Sequence, residues 1–171
     1  MKILIGVVVV LVVLIGIVIG VGYLLPVRHR ASRMATYPVS PDVLFAAITN
    51  VSAFPSWRSS VKTVDVVASA PKLSWRETGS DGTILYVADR VAAPTSLVTR
   101  IADPNLPFGG TWTYELAAMG KETTLRITED GEVYNPLFRF MSRFVFGHTA
   151  TIDTYLHDLG KRYAAASGIS D

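Results

Sequence analysis

Asn135-Pro136-Leu137-Phe138-Arg139-Phe140-Met141-Ser142-Arg143-Phe144-Val145-Phe146-Gly147-His148, continuing to Ala166, contains the longest helical pattern in the soluble part of the chain. Asn135-Pro136 stops the strand-like run before it, and proline is tolerated at a helix start because its missing N–H would have no partner there. Met141, Val145, His148, Ile152, Tyr155, Leu159 and Tyr163 then recur at steps of three and four, which places them on one face. Phe138, Phe144 and Leu156 widen that stripe, while Arg139, Arg143, Asp153, Asp158, Lys161 and Arg162 fall mostly elsewhere. The spacing predicts a single amphipathic helix from Asn135 to about Ala166, roughly 45 Å long at ~1.5 Å per residue. A helix of that length needs a broad apolar surface to lie on.

The preceding residues supply one. Arg33 to Val39 alternates as a first strand, and Ser40-Pro41-Asp42 reads as N-cap, first helical position and acidic first turn of a short helix bearing Val43, Leu44, Ala47 and Ile48. Val51 to Trp57 is a second short helical turn, broken by Pro55. From Val61 the period changes to two. Val61 to Ala68, Leu73 to Glu77, Thr83 to Ala93, Ser96 to Ala102, Thr111 to Ala118 and Thr123 to Tyr134 read as six further strands. Gly79-Ser80-Asp81-Gly82, Pro94-Thr95 and Gly120-Lys121 are the turns between pairs of them. Tight turns between successive strands imply an antiparallel meander. The expectation is an α+β domain whose seven-stranded antiparallel sheet curls around the long C-terminal helix, with two short helices after the first strand.

Ahead of this domain, Ile3 to Leu25 is apolar and free of charge, and a membrane-spanning helix needs about 20 such residues. Signal peptides carry apolar stretches of about 7–15 residues ending in a small-residue cleavage site. Here Tyr23-Leu24-Leu25-Pro26 follows instead, so the segment reads as a retained anchor. The expected organisation is anchor 1–27, basic juxtamembrane linker 28–33, domain 34–166 and tail 167–171. Gly16 and Gly20, four apart, offer a weak homodimer contact between two such helices. The formal charge of +2 is unevenly spread. Four of the sixteen basic residues precede Met34 and all fourteen acidic ones follow it, so nucleic-acid binding has no electrostatic support. Arg28, Arg30 and Arg33 outnumber Lys2, and the positive-inside bias places the domain in the cytoplasm of a single-pass membrane protein. The chain has no cysteine, which excludes disulfides and thiolate metal sites.

Val39-Ser40-Pro41-Asp42-Val43-Leu44-Phe45 followed by Phe54-Pro55-Ser56-Trp57 resembles the first- and second-helix signature of the START-like superfamily, SRPBCC, in its polyketide cyclase/dehydrase and lipid transport branch. Gly110-Thr111-Trp112-Thr113-Tyr114 and Asn135 to Phe140 resemble one bacterial subgroup, and the likeness runs from Arg30 to about Tyr163. It implies the helix-grip fold. Members of the family include lipid and hydrophobic-ligand carriers, aromatic polyketide cyclases, quinone binders and chaperone cofactors, so the resemblance does not choose a function.

Catalytic signatures are missing from the sequence. Gly109-Gly110 lacks the spacing and following Lys of a phosphate loop, and no two of His29, His148 and His157 are spaced four apart. The Glu129-Asp130-Gly131-Glu132 run lacks the ligand offsets of a calcium loop. What remains is a set of residues expected to face a cavity: Trp75, Glu77, Trp112, Tyr114, Glu129, Arg139, Met141, His148 and Tyr155. Glu77 shares strand parity with Leu73 and Trp75, and Glu129 with Leu125 and Ile127. A lone buried carboxylate is unfavourable, so each is expected at a bulge or strand end that turns it to solvent; if buried, the expected partner is Arg139 or His148. The reading is membrane-anchored binding or transport of a hydrophobic small molecule, a lipid, quinone or polyketide-like compound, in an internal cavity, needing neither metal nor cofactor. The alternatives are a cyclase/dehydrase-type lyase using His148 with a glutamate, and a closed interaction domain.

Overall fold

The computed structural model describes residues 1–163 and 168–171. Helix α1 (Lys2–Leu24) is followed by strand β1 (Arg28–Tyr37), helix α2 (Pro41–Thr49) and a 3-10 turn (Val51–Ser56). Strands β2 (Val61–Ala68), β3 (Ser74–Gly79), β4 (Gly82–Ala92), β5 (Ser96–Ile101), β6 (Phe108–Met119) and β7 (Glu122–Val133) come next. They form one antiparallel seven-stranded sheet in the order β1-β7-β6-β5-β4-β3-β2. Only β1 departs from sequential order, because α2 and the turn after it carry the chain from one sheet edge to the other. The fold is thus α+β, with the helix-grip arrangement.

The C-terminal segment differs from the single helix that its periodicity predicts. It is helix α3 (Pro136–Met141), a π-helical turn (Ser142–Phe146), and helix α4 (Ala150–Arg162). Asn135 caps α3, its Oδ1 accepting from the N–H groups of Leu137 (2.9 Å) and Phe138 (3.3 Å). Phe144, Val145 and Phe146 are poor helix formers, and Gly147 adopts φ +77°, which is open to glycine without penalty. Steps of three and four run through this point in the sequence, yet the backbone turns there. Val145, assigned to the buried stripe, is consequently exposed. The end of the expected helix at Ala164–Ala166, and Ser167, lie outside the described residues.

Within the C-terminal segment, helix α4 packs most deeply on the sheet. Ile152, Leu156 and Leu159 are fully buried against Ala35, Tyr37, Leu125 and Ile127, and α2 contributes Leu44 and Ile48. The Tyr37 hydroxyl donates to the Leu156 carbonyl at 2.9 Å, which fixes β1 to the middle of α4. Asp158, grouped with the outer polar residues by sequence, is buried. Its Oδ2 accepts from both the N–H and the hydroxyl of Ser59, each at 2.6 Å.

The stretch 28–33, expected as a linker, belongs to β1 and pairs with Ile127–Glu132 of β7. Arg28 and Arg30 sit on Glu132 (3.0 Å) and Asp130 (3.6 Å), and Arg33 reaches Asp153 (3.0 Å) at the start of α4. Within the expected tail, Ser170 exchanges two backbone hydrogen bonds with Met34. Replacing Asp158 with Ala removes both of these hydrogen bonds to a charged acceptor, and a loss of ~1–3 kcal/mol is expected in chemical denaturation of the full chain in detergent. Burial raises the Asp158 pKa, but the Ser59 and Lys161 hydrogen bonds outweigh it and the net shift is downward. The stabilisation is therefore present above the ordinary carboxylate pKa of about 3.9, and the wild-type advantage over D158A shrinks as pH falls through the depressed value.

Candidate functional site

Where α4 ends its cover of the sheet, the concave face is left hollow. A cavity of about 480 Å³ lies between strands β3–β7 and the segment from Phe138 to Thr151. Inward parity along each strand sets its walls: Trp75 and Glu77 from β3, Ile84 and Tyr86 from β4, Thr99 and Ile101 from β5, Trp112 and Tyr114 from β6, Glu129 from β7. Trp75 stacks on Tyr86 with centroids 5.6 Å apart. Met141, Phe146 and His148 close the opposite side.

Two polar stations interrupt this aromatic wall. At the first, the Arg58 Nη1 lies 2.9 Å from both oxygens of Glu77, and the Trp75 indole N–H donates to Oε1 at 2.8 Å. Both members are nearly enclosed, with side-chain exposures of 12% and 8%. The guanidinium is held between the rings of Phe54 (4.8 Å) and Tyr155 (5.1 Å). Burial is the largest influence and lowers the Arg58 pKa, but Glu77 together with Tyr155, Tyr114 and Tyr86 outweighs it and the net direction is up. Burial also pushes the Tyr86, Tyr114 and Tyr155 hydroxyls upward, so all three stay neutral phenols.

At the second station, Glu129 accepts from the Trp112 indole N–H (2.9 Å) and meets His29 Nε2 at 3.2 Å. The His29 ring stacks on His148 at 4.1 Å, and His148 Nδ1 lies 2.9 Å from the Ser142 hydroxyl. A line of polar contacts therefore runs from β7 to the turn before α4. It exists because Gly131 has no side chain; a Cβ there would collide with the His29 ring. Burial, the neighbouring His29 and Arg143 all lower the His148 pKa.

Seven of the nine residues singled out from sequence line the cavity: Trp75, Glu77, Trp112, Tyr114, Glu129, Met141 and His148. Tyr155 lies behind the wall, packed on Trp57 (5.3 Å), Trp112 (5.8 Å) and Tyr114 (5.8 Å). Arg139 is elsewhere, donating to the Leu25 carbonyl (2.9 Å) at the end of α1 and to that of Tyr134 (3.3 Å). Neither glutamate turns to solvent as expected, and neither pairs with Arg139 or His148. Their partners, Arg58 and His29, were not among the sequence candidates. Inward alternation of His29 with Ala31, Ala35 and Tyr37 was a usable signal, hidden by the arginines between them. Arg58, in a loop after Trp57, gave none. Among the described residues no group of three or more His, Asp or Glu is placed to hold a metal ion.

A family profile described as polyketide cyclase / dehydrase and lipid transport matches residues 28–161. Among solved structures, a START superfamily protein from Mycobacterium smegmatis superposes with TM-score 0.66 at 16% identity, covering 80% of this chain and 97% of that one. A conserved protein from Geobacillus kaustophilus gives 0.67 at 10% identity, over 84% and 100%. The Zhui aromatase/cyclase from a Streptomyces species gives 0.65 at 9% identity, over 80% and 94%. At these identities the likeness is one of fold. No curated protein sequence matches the chain.

Breaking a buried ion pair leaves an uncompensated charge, at a typical loss of ~3–5 kcal/mol, whereas replacing both members with apolar groups is often near neutral. Arg58→Met alone should therefore destabilise the domain far more than Arg58→Met combined with Glu77→Leu, as measured by a denaturation double-mutant cycle. His148, with its lowered pKa, contributes stability that is complete above the ordinary histidine value of about 6.5 and is lost as pH falls through the depressed one. In thermal unfolding across that range, His148→Phe should abolish this part of the acid sensitivity and keep the fold.

Proposed function

The chain belongs to the polyketide cyclase / dehydrase and lipid transport family, and on that premise we propose that it is a membrane-tethered binding protein for a hydrophobic small molecule. The supporting observation is the cavity itself: about 480 Å³, mostly apolar in surface and walled by Trp75, Tyr86, Trp112 and Tyr114. That is the make-up of a small-molecule site. Glu77 and Glu129, the carboxylates beside the aromatic wall, already have internal donors, so this part of the pocket suits a ligand without net charge, such as a lipid or quinone, whose polar end meets one station and whose apolar body meets the rings. The START superfamily and aromatase/cyclase relatives of like fold support a ligand-holding interior.

Helix α1 serves as the tether in this reading. Its 23 residues reach about 34 Å at ~1.5 Å per residue, matching a hydrocarbon core of ~30 Å. Arg28, Arg30 and Arg33 meet carboxylates in the folded domain, but insertion acts on the chain before those partners have gathered. The excess of basic residues after the span thus still favours a cytoplasmic domain. The Gly16–Gly20 face is open, unlike Gly22, and is where a second copy would pack.

A cyclase/dehydrase-type lyase is the second reading, favoured by one observation. The linked Ser142, His148, His29 and Glu129 place groups able to exchange protons against the cavity.

The expected outcome for the carrier is that detergent-purified protein binds a fluorescent anilinonaphthalene probe with quenching of tryptophan emission. Thr99→Phe, which fills the floor, should weaken that binding about tenfold, equivalent to ~1.4 kcal/mol. The chain should also remain in membrane pellets after carbonate washing. Absence of copurified lipid, quinone or probe binding would favour the closed interaction domain instead.

A further inference from the structure

Five of the domain's exposed apolar residues cluster where it joins α1. Leu137 (44% exposed), Phe138 (46%), Phe144 (59%), Val145 (58%) and Phe146 (65%) all lie on α3 or the π-helical turn after it. Apolar side chains gathered on one surface mark contact with a partner or a membrane. Between Asn135 and Thr149 the chain carries two arginines and no acidic residue, the composition of a segment that rests on phosphate headgroups.

Contact with α1 fixes the depth of this segment. Val18, Val21, Gly22 and Leu25 are its covered positions near the C-terminal end, spaced along one helical face. Gly22 meets the backbone of Pro136 so closely that a Cβ would collide with the Pro136 carbonyl. The Arg139 guanidinium donates to the Leu25 carbonyl and lies over the Tyr23 ring at 5.9 Å. The contact from Val18 to Leu25 takes up ~10 Å of the helix, about the depth to which interfacial helices bury their apolar faces.

The same segment walls the cavity, since Phe138, Met141, Ser142 and Phe146 line it. With α1 spanning the bilayer, as in the proposed function, we infer that α3 and the π-helical turn lie in the bilayer interface as a lid. Leu137, Phe144 and Val145 contact lipid, Met141 and Ser142 close the cavity, and Phe138 and Phe146 sit at the rim between the two faces, so ligand enters from the membrane and not from water.

The test uses the full chain, which has no cysteine of its own, in phosphatidylcholine/phosphatidylglycerol vesicles. Val145→Cys carries an environment-sensitive nitrobenzoxadiazole label, with Phe144→Cys as the second position. Met119→Cys is the control, exposed at the far end of β6, ~37 Å along the strand from Phe108. The expected result is a blue-shifted label at position 145 that loses most of its emission to lipid spin-labelled near the headgroup, while the control label is unaffected. If the labels at 144 and 145 are as solvent-exposed as the control in carbonate-resistant protein, the lid inference is overturned and the span stands. Extraction of the chain by carbonate overturns the span, and the lid with it.

Discussion

The turn of the chain at Gly147 divides the concave face of the sheet into a packed half and a hollow half. Beyond it, α4 lays Ile152, Leu156 and Leu159 on Tyr37, Leu125 and Ile127 without leaving space. Before it, α3 and the π-helical turn stand off from β3–β6, and the inward rings of Trp75, Tyr86 and Trp112 meet a cavity. One continuous helix would have carried its apolar stripe across both halves. This hollow thus coincides with a single backbone break.

Two carboxylates of the hollow half are satisfied from within. Glu77 is held by Arg58 and Trp75, and Glu129 by His29 and Trp112. Burial of either carboxylate alone would be strongly unfavourable. With donors in place, each becomes a fixed dipolar feature on an aromatic wall. The indole N–H groups have a second effect: they lock the orientation of two of the largest rings facing the cavity, which gives the hollow a defined shape.

The two stations differ in their mechanical setting. Arg58–Glu77 joins the loop after the 3-10 turn to β3 and is enclosed on most sides. Glu129–His29–His148–Ser142 instead bridges the sheet to the segment that packs on α1. Movement of α3 relative to the sheet would be felt at the His29–His148 stack, so events at helix α1 and at the cavity share one set of contacts. The close approach of Gly22 to Pro136 and the Arg139–Leu25 hydrogen bond are the other end of that path.

Much of this was written locally in the chain. Period-two runs with Gly-rich turns determined an antiparallel meander, the uncharged run from Ile3 to Leu25 determined a helix long enough to cross a membrane, and Trp75 and Trp112 were expected to face the cavity. Those features depend on residues a few positions apart, where side-chain direction follows from backbone geometry. Tertiary structure alone decided that the C-terminal helix breaks at Gly147, since helical spacing persists on both sides of it. It alone supplied Arg58 and His29 as partners of the buried carboxylates, 19 and 100 residues away in sequence. It also turned Arg28–Arg33 from a basic flank into an edge strand. Pairing across such separations is set by how the sheet closes, and no local pattern encodes which charge will be present to meet a buried one.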